Sequence, residues 1–344
     1  MGRATRTVGL LVAAALVVAG CGDDDDGDDT GSAAPSGTIT IYSGRSEDLV
    51  KPLLDQFAAE TGITVEFRGG DSGELGAQLL TEGDASPADV FFSQDAGALG
   101  AVSKAGLFEA LPAELVERVP EAYRAADATW MGLSGRVRVV VHHPELAPAP
   151  PDHIDGLLAP EWKGKIGFAP TNASWQAFVT GLRVLRGDDG ARAWLEGFAA
   201  QDPVAYERNG AVRDAVDAGE IALGLVNHYY LYEKIAAEGD GVVAENQYMA
   251  AGDPGGLVNV AGAGVLASSD NEAAAVALVD YLSGPKGQAY FAEKTFEYPL
   301  VEGTVTADVL PPLADLDPPA LDLSDLDSLG ETQALLADVG LLTK

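Results

Sequence analysis

Two adjacent tyrosines, Tyr229 and Tyr230, carry the most distinctive chemistry in the sequence. An apolar, strand-like run at 222–226 precedes them and a helical pattern at 229–237 begins with them, so both phenols lie at a strand-to-helix junction. The positive end of a helix dipole favours a phenolate. Because a free phenol has a pKa of about 10, only a strongly polarising cation would deprotonate both phenols at neutral pH. Hard cations of high charge select anionic oxygen ligands, although a tyrosine pair is also consistent with simple aromatic packing.

Catalytic signatures are missing from the chain. It contains no G-x-S-x-G elbow, no H-E-x-x-H pair and no Walker A loop. The four histidines have no neighbour pattern suited to a zinc site; they are His142, His143, His153 and His228. We therefore expect a binding protein and no enzyme, with a secreted hydrolase or an adhesion module as the alternative from another class.

Charge and cysteine content exclude several other classes. The 344 residues include 21 Lys+Arg against 53 Asp+Glu, which gives a formal charge of −32. Nucleic-acid binding needs clustered basic residues, so no nucleic-acid partner is expected. A single cysteine excludes an internal disulfide framework and a multi-cysteine metal site.

The first 20 residues have the features of a signal peptide. Arg3 and Arg6 precede a short apolar run at 10–18, and small residues lead to Cys21. The tetrad at 18–21 resembles the bacterial lipobox, in which the peptide is cut before a cysteine that is then lipidated. We therefore predict a signal peptide at 1–20 and lipidation of Cys21, which anchors the protein to the extracytoplasmic face of the cell membrane.

An acidic tether follows the lipobox. The segment 21–37 contains six aspartates among Gly, Ser, Thr and Pro. Like charges at this density repel one another, which favours an extended, solvated spacer over a cation site.

From Thr38 onward, short strand-like runs alternate with amphipathic helical runs. Strands are predicted at 38–42, 63–67, 88–92, 136–141 and 222–226, and helices at 49–57, 74–81, 98–104, 175–185, 211–218, 229–237, 273–282 and 285–293. This alternation is typical of an α/β fold with a largely parallel sheet.

Several sequence blocks together resemble the ferric-ion-binding proteins of bacterial ABC importers, a branch of the type II periplasmic binding-protein superfamily. Their order and spacing carry the resemblance, which extends from Ile39 to about Leu342. The blocks lie at 41–45 (IYSGR), 86–92 (SPADVFF), 132–139 (GLSGRVRV), 219–221 (GEI) leading to 227–230 (NHYY), and 296–299 (FEYP).

The resemblance implies two α/β lobes that are joined by a hinge and close on Fe³⁺. A synergistic anion such as carbonate or phosphate often accompanies the ion in this family, and the permease of an ABC transporter receives it. We expect a monomer. A binder of another small solute, such as a polyamine, thiamine or a phosphonate, remains the alternative within the same superfamily.

By the same resemblance, Tyr229 and Tyr230 match the tyrosine pair that ligates iron, whereas the first-lobe ligands differ. Ser46 stands where many members have a histidine, and Gln94 where one subgroup has a glutamate. The neighbouring acids Glu47 and Asp95 are therefore the candidate metal ligands from the first lobe, and an open site filled by an anion or by waters is the alternative to both. Each has a structural alternative, a charge at a helix N-terminus for Glu47 and a turn for Asp95.

The candidate anion ligands are basic or amide- and hydroxyl-bearing residues. Arg136 and Arg138 are two apart in a strand and share one face, so they are able to clamp an oxyanion; paired surface ions are the alternative. The complete set of candidates is Arg45, Arg136, Arg138, Asn227, Asn209, Thr171 and Ser174. Asn227 matches a residue that helps hold the anion in some family members, and the loop of Thr171 and Ser174 opens a predicted helix.

The family pattern also implies the lobe boundaries. The N-terminal lobe is predicted at 38–136 and 258–310, and the C-terminal lobe at 137–257 and 311–344.

Overall fold

The computed structural model describes residues 34–342, whose strands form one ten-stranded sheet. The predictions for the signal peptide, for Cys21 and for most of the tether lie outside these residues. The strands are β1 (Thr38–Ser43), β2 (Thr64–Gly69), β3 (Val90–Ser93), β4 (Met131–His142), β5 (Ile166–Phe168), β6 (Val204–Ala205), β7 (Leu223–Asn227), β8 (Glu245–Gln247), β9 (Val258–Val265) and β10 (Tyr298–Pro299). The α-helices are α1 (Glu47–Thr61), α2 (Ser72–Glu82), α3 (Ala96–Lys104), α4 (Ala113–Val116), α5 (Ala173–Ala200), α6 (Asn209–Asp217), α7 (Tyr229–Glu238), α8 (Glu272–Ser283), α9 (Pro285–Lys294) and α10 (Leu329–Asp338). None of the helices in this part of the chain is both long enough and apolar enough to cross a membrane.

The sheet is mixed, which corrects the expectation of a largely parallel sheet. β1 pairs in parallel with β2 and β3, and β5 pairs in parallel with β6 and β7. Between these two parallel groups, β4 and β9 run antiparallel to each other and to the strands beside them. Hydrophobic periodicity reports which faces of a strand are buried but carries no information on strand direction, so the sequence could not reveal this arrangement.

The long strand β4 joins the two parallel groups by changing partners along its length. Residues 131–137 pair with β9, whereas residues 138–142 pair with β7. The change falls between Val137 and Arg138, so the predicted arginine pair, Arg136 and Arg138, lies on either side of it.

The two largest hydrophobic cores of residues 34–342 lie on the two sides of this crossing, and a small cluster that includes Val137 and Val258 lies at the crossing itself. The first core includes buried residues from β1, α1, β3, α3, β9, α8 and α9. The second core contains an aromatic cluster in which Trp194 stacks on Phe198 with ring centroids 5.2 Å apart, and Phe168 and Trp175 contact the same phenylalanine. A break at Gly187 in α5, where φ is 71°, changes the helix direction and lets both halves of α5 contribute to this cluster.

The C-terminal segment contacts both cores. Leu323 and Leu326, in a 3-10 turn, pack in the first core, whereas Leu336 of α10 packs in the second. The turn lies directly on α3 at Gly97, where an added Cβ would come within 2.3 Å of the Leu326 carbonyl oxygen. A glycine is thus needed at this point of α3 for the segment to dock.

We expect Phe198→Ala to lower the free energy of unfolding by about 3–5 kcal/mol, because the substitution leaves a cavity in the aromatic cluster. Urea denaturation followed by tryptophan fluorescence measures this directly, since Trp162, Trp175 and Trp194 all belong to or pack against the second core. Val305→Ala, at a position that is 77% exposed, is the control and should change the stability by less than about 0.5 kcal/mol. Equal stability of the two variants would contradict the packing described.

Candidate functional site

The tyrosine pair forms the start of α7, and only His228 separates it from the end of β7. The rings of Tyr229 and Tyr230 stack with centroids 4.3 Å apart and an interplanar angle of 26°. Tyr229 is buried, and burial raises the pKa of its phenol well above the ordinary value. The neighbouring Tyr230 raises that pKa further, while Arg136 and Arg45 lower it. Without a cation the Tyr229 phenol is therefore protonated at neutral pH.

His228 fixes the position of this helix start. Its Nδ1 accepts the Val137 N–H at 3.1 Å, and its Nε2 hydrogen-bonds to the Phe296 carbonyl at 2.8 Å. Burial lowers the pKa of His228 to about 4, so the ring is neutral at neutral pH and donates from Nε2. Phe296 has a φ of 53°, a left-handed conformation that costs a non-glycine residue about 1–3 kcal/mol and is held here by the histidine. The turn at Phe296 directs the next residue, Glu297, into the interior.

Glu297 is fully buried and lies between two buried arginines from distant parts of the chain. Its Oε2 accepts from Arg45 Nη2 at 2.9 Å and from the Ser134 hydroxyl at 2.8 Å, and its Oε1 is 4.0 Å from Arg136 Nε. Arg45 and Arg136 are 2% and 1% exposed. Two guanidiniums thus share one carboxylate, which leaves an excess positive charge next to Tyr229. We call Arg45, Arg136 and Glu297 the arginine–glutamate cluster.

Several donors of this cluster have no partner. Arg45 Nε and Arg136 Nε and Nη1 are buried and make no hydrogen bond within residues 34–342. Burial lowers the pKa of Arg136, and the like charge of Arg45 lowers it further, against the effect of Glu297. Buried donors and charges are costly unless they are paired, so the cluster is suited to receive an anion.

A second group of donors surrounds Arg138, beside Tyr230. Arg138 Nη1 donates to the Ser174 hydroxyl at 3.1 Å, and Asn209 Nδ2 donates to the same oxygen at 2.9 Å. Arg138 Nη2 is buried and has no partner in the described part of the chain. Burial lowers the pKa of Arg138 to about 10, and the charge of Tyr230 opposes this. Each tyrosine of the pair therefore has a buried guanidinium close enough to interact with it electrostatically.

The structure brings together most, but not all, of the predicted site residues. Arg45, Arg136 and Arg138 are buried around the tyrosines, so the alternative of paired surface ions does not apply to them. Ser174 and Asn209 contact Arg138 or its partner, and Asn227 is buried and faces Arg138 across the β4–β7 pairing.

Three predicted residues make no hydrogen bond or ion pair with this group. Glu47 is exposed at the first residue of α1, and Thr171 is exposed in the loop before α5. Asp95 caps α3, its Oδ1 accepting the Ala98 N–H at 3.1 Å. Burial raises the pKa of Asp95, against the lowering effects of that hydrogen bond and of the Arg136 charge. The metal-ligand roles of Glu47 and Asp95 and the anion role of Thr171 remain predictions.

Sequence reasoning missed two acids, Glu297 and Glu233. Glu297 lies in the block Phe296–Pro299, where an acid among apolar residues was the only available signal. Glu233 follows Tyr229 by four residues, so helical periodicity alone places it on the same face of α7. Within residues 34–342, no group of three or more His, Cys, Asp and Glu side chains is arranged to hold a metal ion.

We expect Glu297→Gln to lower the free energy of unfolding by about 3–5 kcal/mol, because it leaves two buried guanidiniums without a carboxylate. Urea denaturation of the protein without added ligand measures the change. The exposed Glu302→Gln is the matched control and should behave like the wild type. Phosphate should restore part of the stability lost in Glu297→Gln, since an anion that binds only the folded state stabilises it by mass action. A Glu297→Gln protein as stable as the wild type would contradict the role given to the cluster.

Comparisons with solved structures match this architecture over nearly the whole described chain. The iron-bound HitA of Pseudomonas aeruginosa superimposes with a TM-score of 0.83 at 33% identity, covering 88% of this chain and 99% of that one. The Trichodesmium protein IdiA (FutA), solved in complex with iron and citrate, superimposes with a TM-score of 0.75 at 28% identity, covering 89% and 100%. The α/β fold is thus the two-lobed type II periplasmic binding-protein fold, as predicted.

Sequence comparison agrees with the structural match. The Fe(3+)-binding periplasmic protein of Serratia marcescens is 37% identical over 310 residues, which cover 88% of this chain and 90% of that protein. Residues 85–320 match the model of a family described as bacterial extracellular solute-binding protein. The match spans more than half of the chain, and the chain therefore belongs to this family of bacterial extracellular solute-binding proteins.

Proposed function

We propose that this protein captures ferric iron between its two lobes, outside the cytoplasmic membrane, and delivers it to the permease of an ABC importer. The observation that carries the proposal is the stacked pair Tyr229 and Tyr230, with buried, incompletely paired guanidiniums beside both rings. Phenolates are hard anionic ligands that suit a trivalent cation. The names of the Serratia relative and of the iron-bound Pseudomonas structure support the same ligand.

Charge balance supports a synergistic anion. Two phenolates leave one positive charge on Fe³⁺, and the arginine–glutamate cluster adds another. A carbonate or phosphate held by Arg45, Arg136 and Arg138 would neutralise this excess and occupy their unpaired donors. The Ser174 hydroxyl and the Asn209 amide lie beside Arg138 and complete the proposed anion site.

The two hydrophobic cores support a division into lobes close to the predicted one. The change of partners in β4 at 137–138 and the start of β9 at Val258 coincide with the predicted boundaries near 136 and 257. In the C-terminal segment, the packing of Leu326 in the first core supports a boundary just before α10 instead of at 311. We propose that the two lobes close about these crossings on an ion first held by the tyrosines.

We expect the wild type to develop a visible tyrosinate-to-iron charge-transfer band on titration with ferric citrate. Tyr229→Phe and Tyr230→Phe should each abolish or strongly weaken the band, because each removes one phenolate ligand. Tyr290→Phe is the control, since its hydroxyl contacts the Leu49 carbonyl and lies in a different part of the chain. If both tyrosine variants keep the colour, the site assignment is wrong. A colourless wild type that instead binds a polyamine, thiamine or a phosphonate in calorimetry would favour the alternative ligand class.

Membrane anchoring through Cys21 is a further part of the proposal. The short apolar run and the Val-Ala-Gly-Cys tetrad support it. We expect the native protein to fractionate with membranes and to enter the detergent phase on partitioning. Cys21→Ala removes the acceptor thiol and should leave the protein unlipidated. Partitioning of both proteins into the aqueous phase would contradict lipid anchoring.

A further inference from the structure

We infer that Glu233 is a third protein ligand of the ferric ion, so that the second lobe supplies three anionic oxygens to the metal. This inference rests on the proposed function and names an additional residue of that same site. None of the sequence blocks that carry the family resemblance includes position 233.

The helix places Glu233 on the same side as the phenols. Residues four apart on an α-helix lie on one face with Cβ atoms about 5–6 Å apart, so Glu233 lies one turn after Tyr229 on α7. Helical side chains lean toward the N-terminus of their helix. The Glu233 carboxylate therefore extends back toward the end of α7 that carries both tyrosines.

Glu233 and Tyr229 also experience the same charges. Arg45 and Glu297 act on the pKa of the Glu233 carboxyl and on that of the Tyr229 phenol. These two residues come from the loop after β1 and from the segment before β10. Glu233 thus lies within electrostatic reach of the arginine–glutamate cluster, as Tyr229 does.

The Glu233 carboxylate has no partner of its own in the described structure. It is half-buried and makes no hydrogen bond or ion pair within residues 34–342. The neighbouring cations are already engaged: Arg213 with Asp214 and the Tyr230 carbonyl, Arg45 with Glu297, and Lys234 with Asp214, Asp217 and Glu238. This half-buried carboxylate without a protein partner is therefore available to a cation that the protein itself does not provide.

Its protonation equilibrium agrees with this assignment. Burial raises the pKa of Glu233 to about 7, and the negative charge of Glu297 raises it further, against Arg213 and Arg45. A metal ion favours the deprotonated form of a carboxyl ligand. Together with two phenolates, a Glu233 carboxylate balances the charge of Fe³⁺ itself, so that an anion would have only the excess charge of the arginine–glutamate cluster to neutralise.

Asp95 and Glu297 each have a carboxylate oxygen engaged with the protein. The Oδ1 of Asp95 caps α3, and Oε2 of Glu297 is held by Arg45 and Ser134, while its Oε1 makes no hydrogen bond within residues 34–342 and is 4.0 Å from Arg136 Nε. Glu47 is exposed at the first residue of α1. Among these acids of residues 34–342, Glu233 combines proximity with two unengaged oxygens.

The test compares the wild type, Glu233→Gln and Glu238→Gln, each loaded with ferric nitrilotriacetate. Glu238 lies on the same helix and is exposed, so Glu238→Gln is the matched control. Glu233→Gln should keep a charge-transfer band, because both tyrosines remain, but the band should move to longer wavelength. The loss of an anionic oxygen ligand makes the ferric ion a stronger acceptor of tyrosinate charge. Iron removal by EDTA should be at least about 10-fold faster than from the wild type.

Each alternative result has a distinct meaning. A coloured wild type with a Glu233→Gln variant of identical band position and release rate overturns this inference and leaves the proposed function intact. Faster release with an unmoved band also overturns ligation, since it shows that Glu233 acts through its charge from outside the coordination sphere. A colourless wild type overturns the proposed function and this inference together. Circular dichroism and the thermal midpoint of the iron-free variants confirm that the substitutions preserve the fold.

Discussion

The site depends on a buried carboxylate that has to neutralise more positive charge than it carries. Glu297 holds Arg45 directly and lies close to Arg136, and the three residues come from the loop after β1, from β4 and from the segment before β10. Burying two guanidiniums with one carboxylate is unfavourable unless other groups complete the balance. The fold therefore holds buried, incompletely balanced positive charge beside the phenols.

One histidine holds together the elements that surround the arginine–glutamate cluster. The ring of His228 connects β4 to the strained turn at Phe296, and the same residue precedes Tyr229. The orientation of the tyrosine pair and the depth of Glu297 are thus set by the same contacts. Distortion of either one would displace the other, so the phenols and the buried charges beside them are positioned together.

Much of the fold was predictable from the sequence, because helical and strand periodicity record burial. The predicted strand at 38–42 corresponds to β1 and the predicted helix at 229–237 to α7. Strand direction was not predictable, and the antiparallel crossing by β4 and β9 was missed. The tyrosine pair could be singled out from its residue type and position, but its predicted role as a metal-ligand pair came from the family resemblance. The sequence did not single out Glu297. It is one of 53 acidic residues, and what sets it apart is its contacts with residues more than a hundred positions away in the chain.

The change of partners in β4 has a mechanical consequence. Arg136 is fixed to the sheet region of β9, whereas Arg138 is fixed to that of β7, and only Val137 separates them. Bending of the strand at this point alters the spacing of the two guanidinium groups. An oxyanion that bridges them would resist such bending, and its departure would leave the strand free to flex. Binding of a small anion to Arg136 and Arg138 would in this way be coupled to how easily the chain bends at residues 136–138.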